Sequence, residues 1–117
     1  MPALLYSQTI QERVARVGFD WKNVEGIVEK LAEEVGELSQ AVGQEERERE
    51  FGDLMFTLAN IARRLGVDLE SALRSASRRF RRRFSYIEKA CQKRGISFAN
   101  LSPEQQDTLW EEAKRKT

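Results

Sequence analysis

The sequence is defined first by what it lacks. It contains no histidine, which excludes Ser-His and Cys-His nucleophilic catalysis and leaves no ligands for a histidine-based zinc site. Its single cysteine, Cys91, excludes an internal disulfide and is typical of a reducing compartment, so we expect a cytoplasmic protein. No apolar run approaches the roughly 18–20 residues of a membrane span, and no secretory signal pattern opens the chain. We therefore expect a single domain over residues 1–117 with no membrane partner.

Apolar residues recur with the helical period along most of the chain, and no segment shows the alternation of a strand. The pattern predicts an all-α bundle of four or five helices. The predicted helices run over residues 1–16, from the cap Asn23 to about Val42, from between 45 and 48 to Leu65, from the cap Asp68 to Gly95, and from the cap Ser102 to the terminus.

The second and third predicted helices each carry an apolar stripe that we expect to face the core. These stripes include Val35 and Val42 in one helix and Phe51 and Leu65 in the other. Phe56 lies off its stripe, which indicates a second apolar contact such as a partner subunit.

Two carboxylate pairs flank these stripes, Glu34 with Glu37 and Glu50 with Asp53. Residues three apart project from one face of a helix, and a short link favours antiparallel neighbouring helices. One such pair alone would more often be a solvated face paired with Lys or Arg. Two pairs on consecutive helices favour a site in which Mg²⁺ or Mn²⁺ neutralises four converging carboxylates. Glu33 and Glu34 are the candidate general bases.

The charge is distributed unevenly, although the net charge is only +1. Residues 20–60 hold eleven acidic and four basic side chains, whereas residues 61–95 hold eleven basic and three acidic ones. The basic part contains the run Arg78–Arg83. Its guanidinium groups suit the phosphates of a nucleotide, the backbone of RNA or DNA, or ion pairs with the acidic helices. Composition alone does not choose among these readings.

Six segments carry a resemblance to a known family. They are ARVGFDW (15–21), K-x-x-E-E-x-x-E (30–37), E-x-x-D (50–53), DLMFTLANIARRLG (53–66), RFRRRF (79–84) and LWEEAKR (109–115). In their order and spacing, from about Pro2 to Arg115, they resemble the MazG family of nucleoside triphosphate pyrophosphohydrolases. The resemblance is greatest to the C-terminal domain of tandem MazG proteins, so the chain would be a stand-alone form or an excised domain.

The resemblance implies an all-α, Mg²⁺-dependent enzyme that hydrolyses NTP or dNTP to the monophosphate and pyrophosphate by water attack on the α-phosphorus. It also implies a homodimer, with a tetramer as the alternative, and sites at or near the subunit interface. The implied metal ligands are Glu34, Glu37, Glu50 and Asp53. The implied substrate contacts are Lys30, Glu33, Asp53, Asn60, Arg79, Arg82, Arg83 and Trp110.

This chain departs from the family pattern at two positions. Arg49 stands where the family often has a glutamate, which leaves the metal ligands complete but puts a cation beside them. Arg79 replaces a common lysine, which keeps the charge and changes its geometry.

The rival hypothesis is a non-catalytic nucleic-acid or regulatory binding module that uses Arg78–Arg83. Such a module would not require the four carboxylates Glu34, Glu37, Glu50 and Asp53, which we call the acidic quartet. Without a bound metal ion, this quartet repels phosphate. We therefore favour the enzyme and do not expect a nucleic-acid partner.

Overall fold

The structure is a computed structural model that describes all 117 residues. It consists of five α-helices and one 3₁₀ turn, without strands, which confirms the predicted all-α class. The elements are α1 (Ala3–Arg16), α2 (Val24–Gln40), α3 (Gln44–Arg64), α4 (Leu69–Arg94), the 3₁₀ turn Phe98–Asn100 and α5 (Pro103–Lys116). None of these helices combines the length and apolar character needed to cross a membrane.

The chain divides into two compact units, unit 1 (Met1–Ala72) and unit 2 (Leu73–Thr117), and the boundary falls inside α4. In unit 1, α3 packs against both α1 and α2. In unit 2, α4 packs against α5. The single domain expected over residues 1–117 stays a prediction.

The predicted helix caps are present. The Asn23 side chain accepts a hydrogen bond from the Gly26 amide at 3.0 Å at the start of α2. Ser102 and Gln105 form a reciprocal capping box at the start of α5. The Asp68 side chain accepts a hydrogen bond from the Glu70 amide at 3.1 Å in the first turn of α4. Each cap satisfies an amide that has no partner within its own helix.

The link between α2 and α3 lies earlier in the chain than the predicted helix bounds, about Val42 and 45–48, would place it. Helix α2 already ends at Gln40, and α3 begins at Gln44, directly after Gly43. Gly43 has φ +86°, a conformation that glycine adopts without steric cost. It therefore sets the entry into α3 rather than the end of α2, and only residues 41–43 join the two helices.

Unit 1 has few large buried side chains. Ile27 of α2 and the small residues Ala59 and Ala62 of α3 are its main buried apolar groups. By contrast, three valines of the predicted α2 stripe and two apolar residues of the α3 stripe are exposed, namely Val28, Val35, Val42, Phe51 and Leu65. The prediction that these five residues line a core is wrong for the single chain. We call this uncovered set the α2–α3 apolar face.

Gln8 of α1 is a buried polar residue that joins three parts of unit 1. Its Nε2 donates to the Ala59 carbonyl at 3.3 Å and to the Val67 carbonyl at 2.8 Å. Its Oε1 accepts a hydrogen bond from the Leu69 amide at 3.1 Å. One amide group therefore satisfies backbone atoms on both sides of the α3–α4 turn.

Unit 2 has its own apolar core, formed by Ile87 and Cys91 of α4 with Leu109 and Ala113 of α5. A polar contact supports it, because Glu112 accepts hydrogen bonds from Arg94 at 2.7 Å and from the hydroxyl of Tyr86 at 2.6 Å. The hydrogen bond from Arg94, and to a smaller extent that from Tyr86, holds the pKa of the Glu112 carboxyl below its ordinary value.

We predict that Gln8→Met lowers the free energy of unfolding by about 1–3 kcal/mol, since it leaves buried backbone groups without partners at nearly constant volume. Urea denaturation measures the change. Gln106→Met is the control, because Gln106 makes a single part-buried hydrogen bond, to the Phe98 carbonyl at 3.1 Å. Equal losses in both variants would contradict the role assigned to Gln8.

Candidate metal and nucleotide site

Helices α2 and α3 bring three predicted metal ligands together. Glu34, Glu50 and Asp53 each offer a carboxylate oxygen, and these oxygens lie within 4.8 Å of one another. Glu34 is buried, Glu50 is half-buried and Asp53 is exposed, so the group opens to solvent on one side. The three-residue link between the helices holds the two acidic flanks side by side.

The fourth predicted ligand, Glu37, lies next to this group. Together with Glu33, Glu46 and Glu50 it lines a cleft of about 470 Å³. Removal from water and the neighbouring Glu37 raise the pKa of the Glu50 carboxyl, and the charges of Asp53 and Glu34 raise it further. The quartet is thus a concentrated negative charge.

Two buried atoms of the quartet, Glu34 Oε2 and Glu50 Oε2, have no hydrogen-bond partner. The nearest cation is Lys30, whose Nζ lies 3.0 Å from the other oxygen of Glu34. Glu34 in turn raises the pKa of Lys30. One ammonium group cannot neutralise four carboxylates, and buried polar oxygens are rarely left unpaired. An all-oxygen donor set with two unpaired oxygens fits a hard divalent cation such as Mg²⁺ or Mn²⁺.

Glu33 and Asn60 also belong to unit 1, but they lie in different concavities. Glu33 is exposed in the acidic cleft. Asn60 is 6% exposed and lines a larger cavity of about 810 Å³, which we call the α1–α3 cavity. Trp21 is 44% exposed at the wall of this same cavity. The sequence reasoning missed this cavity, although GFDW was part of the motif that carried the resemblance.

The predicted phosphate and nucleoside contacts Arg79, Arg82, Arg83 and Trp110 all belong to unit 2. The Arg83 guanidinium lies 5.7 Å from the centroid of the Trp110 ring, and the Phe80 ring packs on the same indole at 5.5 Å. Arg79 donates to the Ser75 hydroxyl at 3.1 Å. None of these arginines forms an ion pair.

A family model described as the MazG nucleotide pyrophosphohydrolase domain matches residues 22–87, which contain the quartet and the arginine run. The chain belongs to this family. The expected resemblance is thereby confirmed, whereas the closer likeness to the C-terminal half of tandem proteins stays a prediction.

Several curated relatives are similar to this MazG domain over most of its length. The nucleoside triphosphate pyrophosphohydrolase/pyrophosphatase MazG of Thermotoga maritima is 47% identical over 114 residues, which cover 97% of this chain and 45% of the relative. The nucleoside triphosphate pyrophosphohydrolase of Escherichia coli K12 is 38% identical over 121 residues, covering 99% and 46%. The Bacillus subtilis protein YabN is 43% identical over 76 residues, covering 65% and 16%. The chain thus spans about half the length of the first two relatives.

We predict that Mg²⁺ or Mn²⁺ raises the thermal unfolding temperature of the wild-type domain. A cation at 100 times its dissociation constant stabilises the folded state by about 2.7 kcal/mol. Glu50→Gln should abolish this metal-induced shift. The same change should raise the unfolding temperature of the metal-free protein, because it removes one of the repelling charges.

Glu29→Gln is the matched control, because Glu29 is an exposed α2 carboxylate outside the cluster. It should retain the full metal-induced shift. Equal shifts in the wild type and in Glu50→Gln would exclude Glu50 as a ligand.

Proposed function

We propose that this MazG domain is a Mg²⁺-dependent nucleoside triphosphate pyrophosphohydrolase acting on cytoplasmic nucleotide pools. It would convert NTP or dNTP to the monophosphate and pyrophosphate by water attack on the α-phosphorus. The observation that carries the proposal is the carboxylate cluster on α2 and α3, with its two unpaired buried oxygens, inside the segment that matches the family. The names of the relatives support the reaction class.

In this proposal Glu34, Glu37, Glu50 and Asp53 would hold Mg²⁺, and Mn²⁺ would fit the same oxygens. When bound, the ion supplies positive charge that polarises phosphate oxygens and acidifies a water molecule. Glu34 has one oxygen paired with Lys30, and its other oxygen is buried without a hydrogen-bond partner. Glu33 has no ion pair and is exposed at the cleft, which makes it the better of the two candidate bases for the attacking water.

The cations would bind the phosphates. Lys30 already lies beside the quartet, where it can neutralise both a ligand and an incoming phosphate oxygen. Arg79 and Arg82 are exposed and lack acidic partners, so their guanidinium groups are free for bidentate phosphate contacts. Arg83 shares the face of Trp110, which remains the nucleoside contact predicted from the resemblance.

The α2–α3 apolar face supports the proposed homodimer, with a tetramer as the alternative. Val28 and Val35 are seven residues apart on α2, the spacing with which one helix packs along another. Val35 of α2 and Phe51 of α3 are 53% and 54% exposed. Such exposed fractions of large apolar side chains on neighbouring helices indicate a contact with another protein surface. Because the same two helices carry the quartet, an interface there would lie close to the metal ligands.

We predict that Asp53→Asn and Glu37→Gln each lower pyrophosphate release from NTP by about 10²-fold or more, because each removes one charge of the quartet. The fold should survive, since both side chains are exposed. Chromatography of the nucleotide products and a pyrophosphate assay measure the effect, with Glu29→Gln as the control. Release of diphosphate and orthophosphate by the wild type would reject the reaction, and unchanged rates in both variants would reject the site.

We predict that Val35→Glu converts the dimer into a monomer, because it places a charge within the α2–α3 apolar face. Light scattering coupled to size-exclusion chromatography measures the mass. Val17→Glu is the control, since Val17 is 83% exposed at the end of α1, outside this face. A wild-type monomer, or a dimer that persists in Val35→Glu, would contradict the assignment.

A further inference from the structure

The outer side of α4 carries a row of cations that the proposed function leaves unused. At about 100° per residue, five basic residues fall within about 120° of one another around the helix axis. They are Arg74, Arg78, Arg81, Lys89 and Lys93, all of them exposed, and we call this set the α4 basic face. Ile87 and Cys91, which pack against α5, lie on the opposite side of the helix. The α4 basic face is therefore turned away from the core of unit 2.

No cation of the α4 basic face is neutralised within the chain. None of the five forms an ion pair, and the two acidic residues of α4, Glu70 and Glu88, form none either. A concavity of about 580 Å³ adjoins the face, between α4 and the residue that follows α5. The charged residues that line it are all basic, namely Arg78, Arg81, Arg82 and Lys89. Arg82 is left to the nucleotide, as proposed above. The surface is thus a concentrated positive charge that a bound anion would neutralise.

The length of the face indicates an extended anion. Arg74 and Lys93 are nineteen residues apart on α4, which corresponds to about 28 Å along the helix axis. A single phosphate or pyrophosphate could contact only a small part of such a row. In B-DNA the phosphates of one strand follow one another at about 3.4 Å along the axis, so about eight of them pass over the same length.

The chemistry of the face favours a phosphate backbone over a protein or a membrane. The remaining positions of the same arc are Ser71, Ser75, Arg82, Ser85 and Gln92, so the arc carries no apolar side chain. Protein interfaces usually have an apolar or aromatic centre, and a membrane-surface helix needs an exposed apolar side. A phosphodiester backbone requires neither, and three of the five cations are arginines, whose guanidinium groups match the geometry of phosphate.

We infer that the α4 basic face binds the phosphate backbone of double-stranded DNA without sequence preference. The arc has no aromatic side chain that could stack on unpaired bases, so a duplex suits it better than a single strand. Binding uses neither Mg²⁺ nor the residues assigned to the reaction, so this inference does not rest on the proposed function.

A nucleic-acid partner is not expected from the sequence, because the acidic quartet repels phosphate. The structure limits the reach of that argument. The four carboxylates belong to α2 and α3, and none of them lines the concavity beside the α4 basic face. The same chain can therefore carry an acidic metal site in unit 1 and an anion-binding surface in unit 2.

Fluorescence anisotropy of a labelled DNA duplex of about 20 base pairs tests the inference, in buffer without Mg²⁺. Five phosphate contacts predict that log Kd rises with log salt concentration with a slope of about 4.5 between about 50 and 200 mM salt. The double variant Arg78→Gln/Arg81→Gln should lower this slope by about 2 and raise Kd at about 0.1 M salt by about tenfold or more. Its release of pyrophosphate from NTP should match that of the wild type, because neither arginine is a proposed nucleotide contact.

The matched control is Arg13→Gln/Arg16→Gln, which removes the same charge from α1. Both of these arginines are exposed and form no ion pair. This control should bind the duplex like the wild type. Equal losses in the two double variants would show a response to net charge alone and would overturn the inference, as would the absence of wild-type binding at low salt.

Two competitors test the class of partner. Poly-glutamate and vesicles that contain phosphatidylserine should displace the duplex only at a much higher concentration of negative charge than unlabelled duplex does. Displacement at an equal charge concentration would assign the face to an acidic protein or to a membrane surface. Tighter binding of a single strand of the same length would overturn the assignment to a duplex.

Discussion

The mutual repulsion of the carboxylates on α2 and α3 is the constraint on which unit 1 depends. Glu34 is buried, and Glu34 Oε2 and Glu50 Oε2 have no protein partner, so the metal-free fold must hold charges together that would otherwise separate. Small buried residues such as Ala59 and the short link at Gly43 keep the two helices close in spite of this. A cluster of like charges lowers the stability of the metal-free fold, a cost that is common at functional sites.

The parts of this arrangement that follow from local chemistry could be predicted from the sequence. The spacing of Glu34 with Glu37 and of Glu50 with Asp53 placed each pair on one helical face, and cap residues such as Asn23 marked the starts of helices. The α2–α3 link was harder to predict, because a glycine with positive φ can either end one helix or begin the next. Only the backbone around Gly43 distinguishes the two cases.

Hydrophobic periodicity could not distinguish a core from an interface. It shows that Val35 and Phe51 share a side of their helices with the buried Ile27 and Ala62, but not what covers them. The same limit applies to Trp21, since large aromatic residues are buried on average and line cavities as well. The α1–α3 cavity forms from residues more than forty positions apart, such as Trp21 and Arg63, and no local pattern reports their meeting.

The arginines of the basic part of the chain lie in two different environments. Arg63 and Arg64, at the end of α3, pair with Asp20 and hold the loop that carries Trp21. The arginines of the Arg78–Arg83 run on α4 have no acidic partner. An exposed unpaired guanidinium is well hydrated and costs little, whereas an unpaired carboxylate within a cluster is unfavourable. The two halves of the charge pattern therefore differ: the carboxylates of the acidic cluster repel one another, whereas the arginines of the run have no acidic partner.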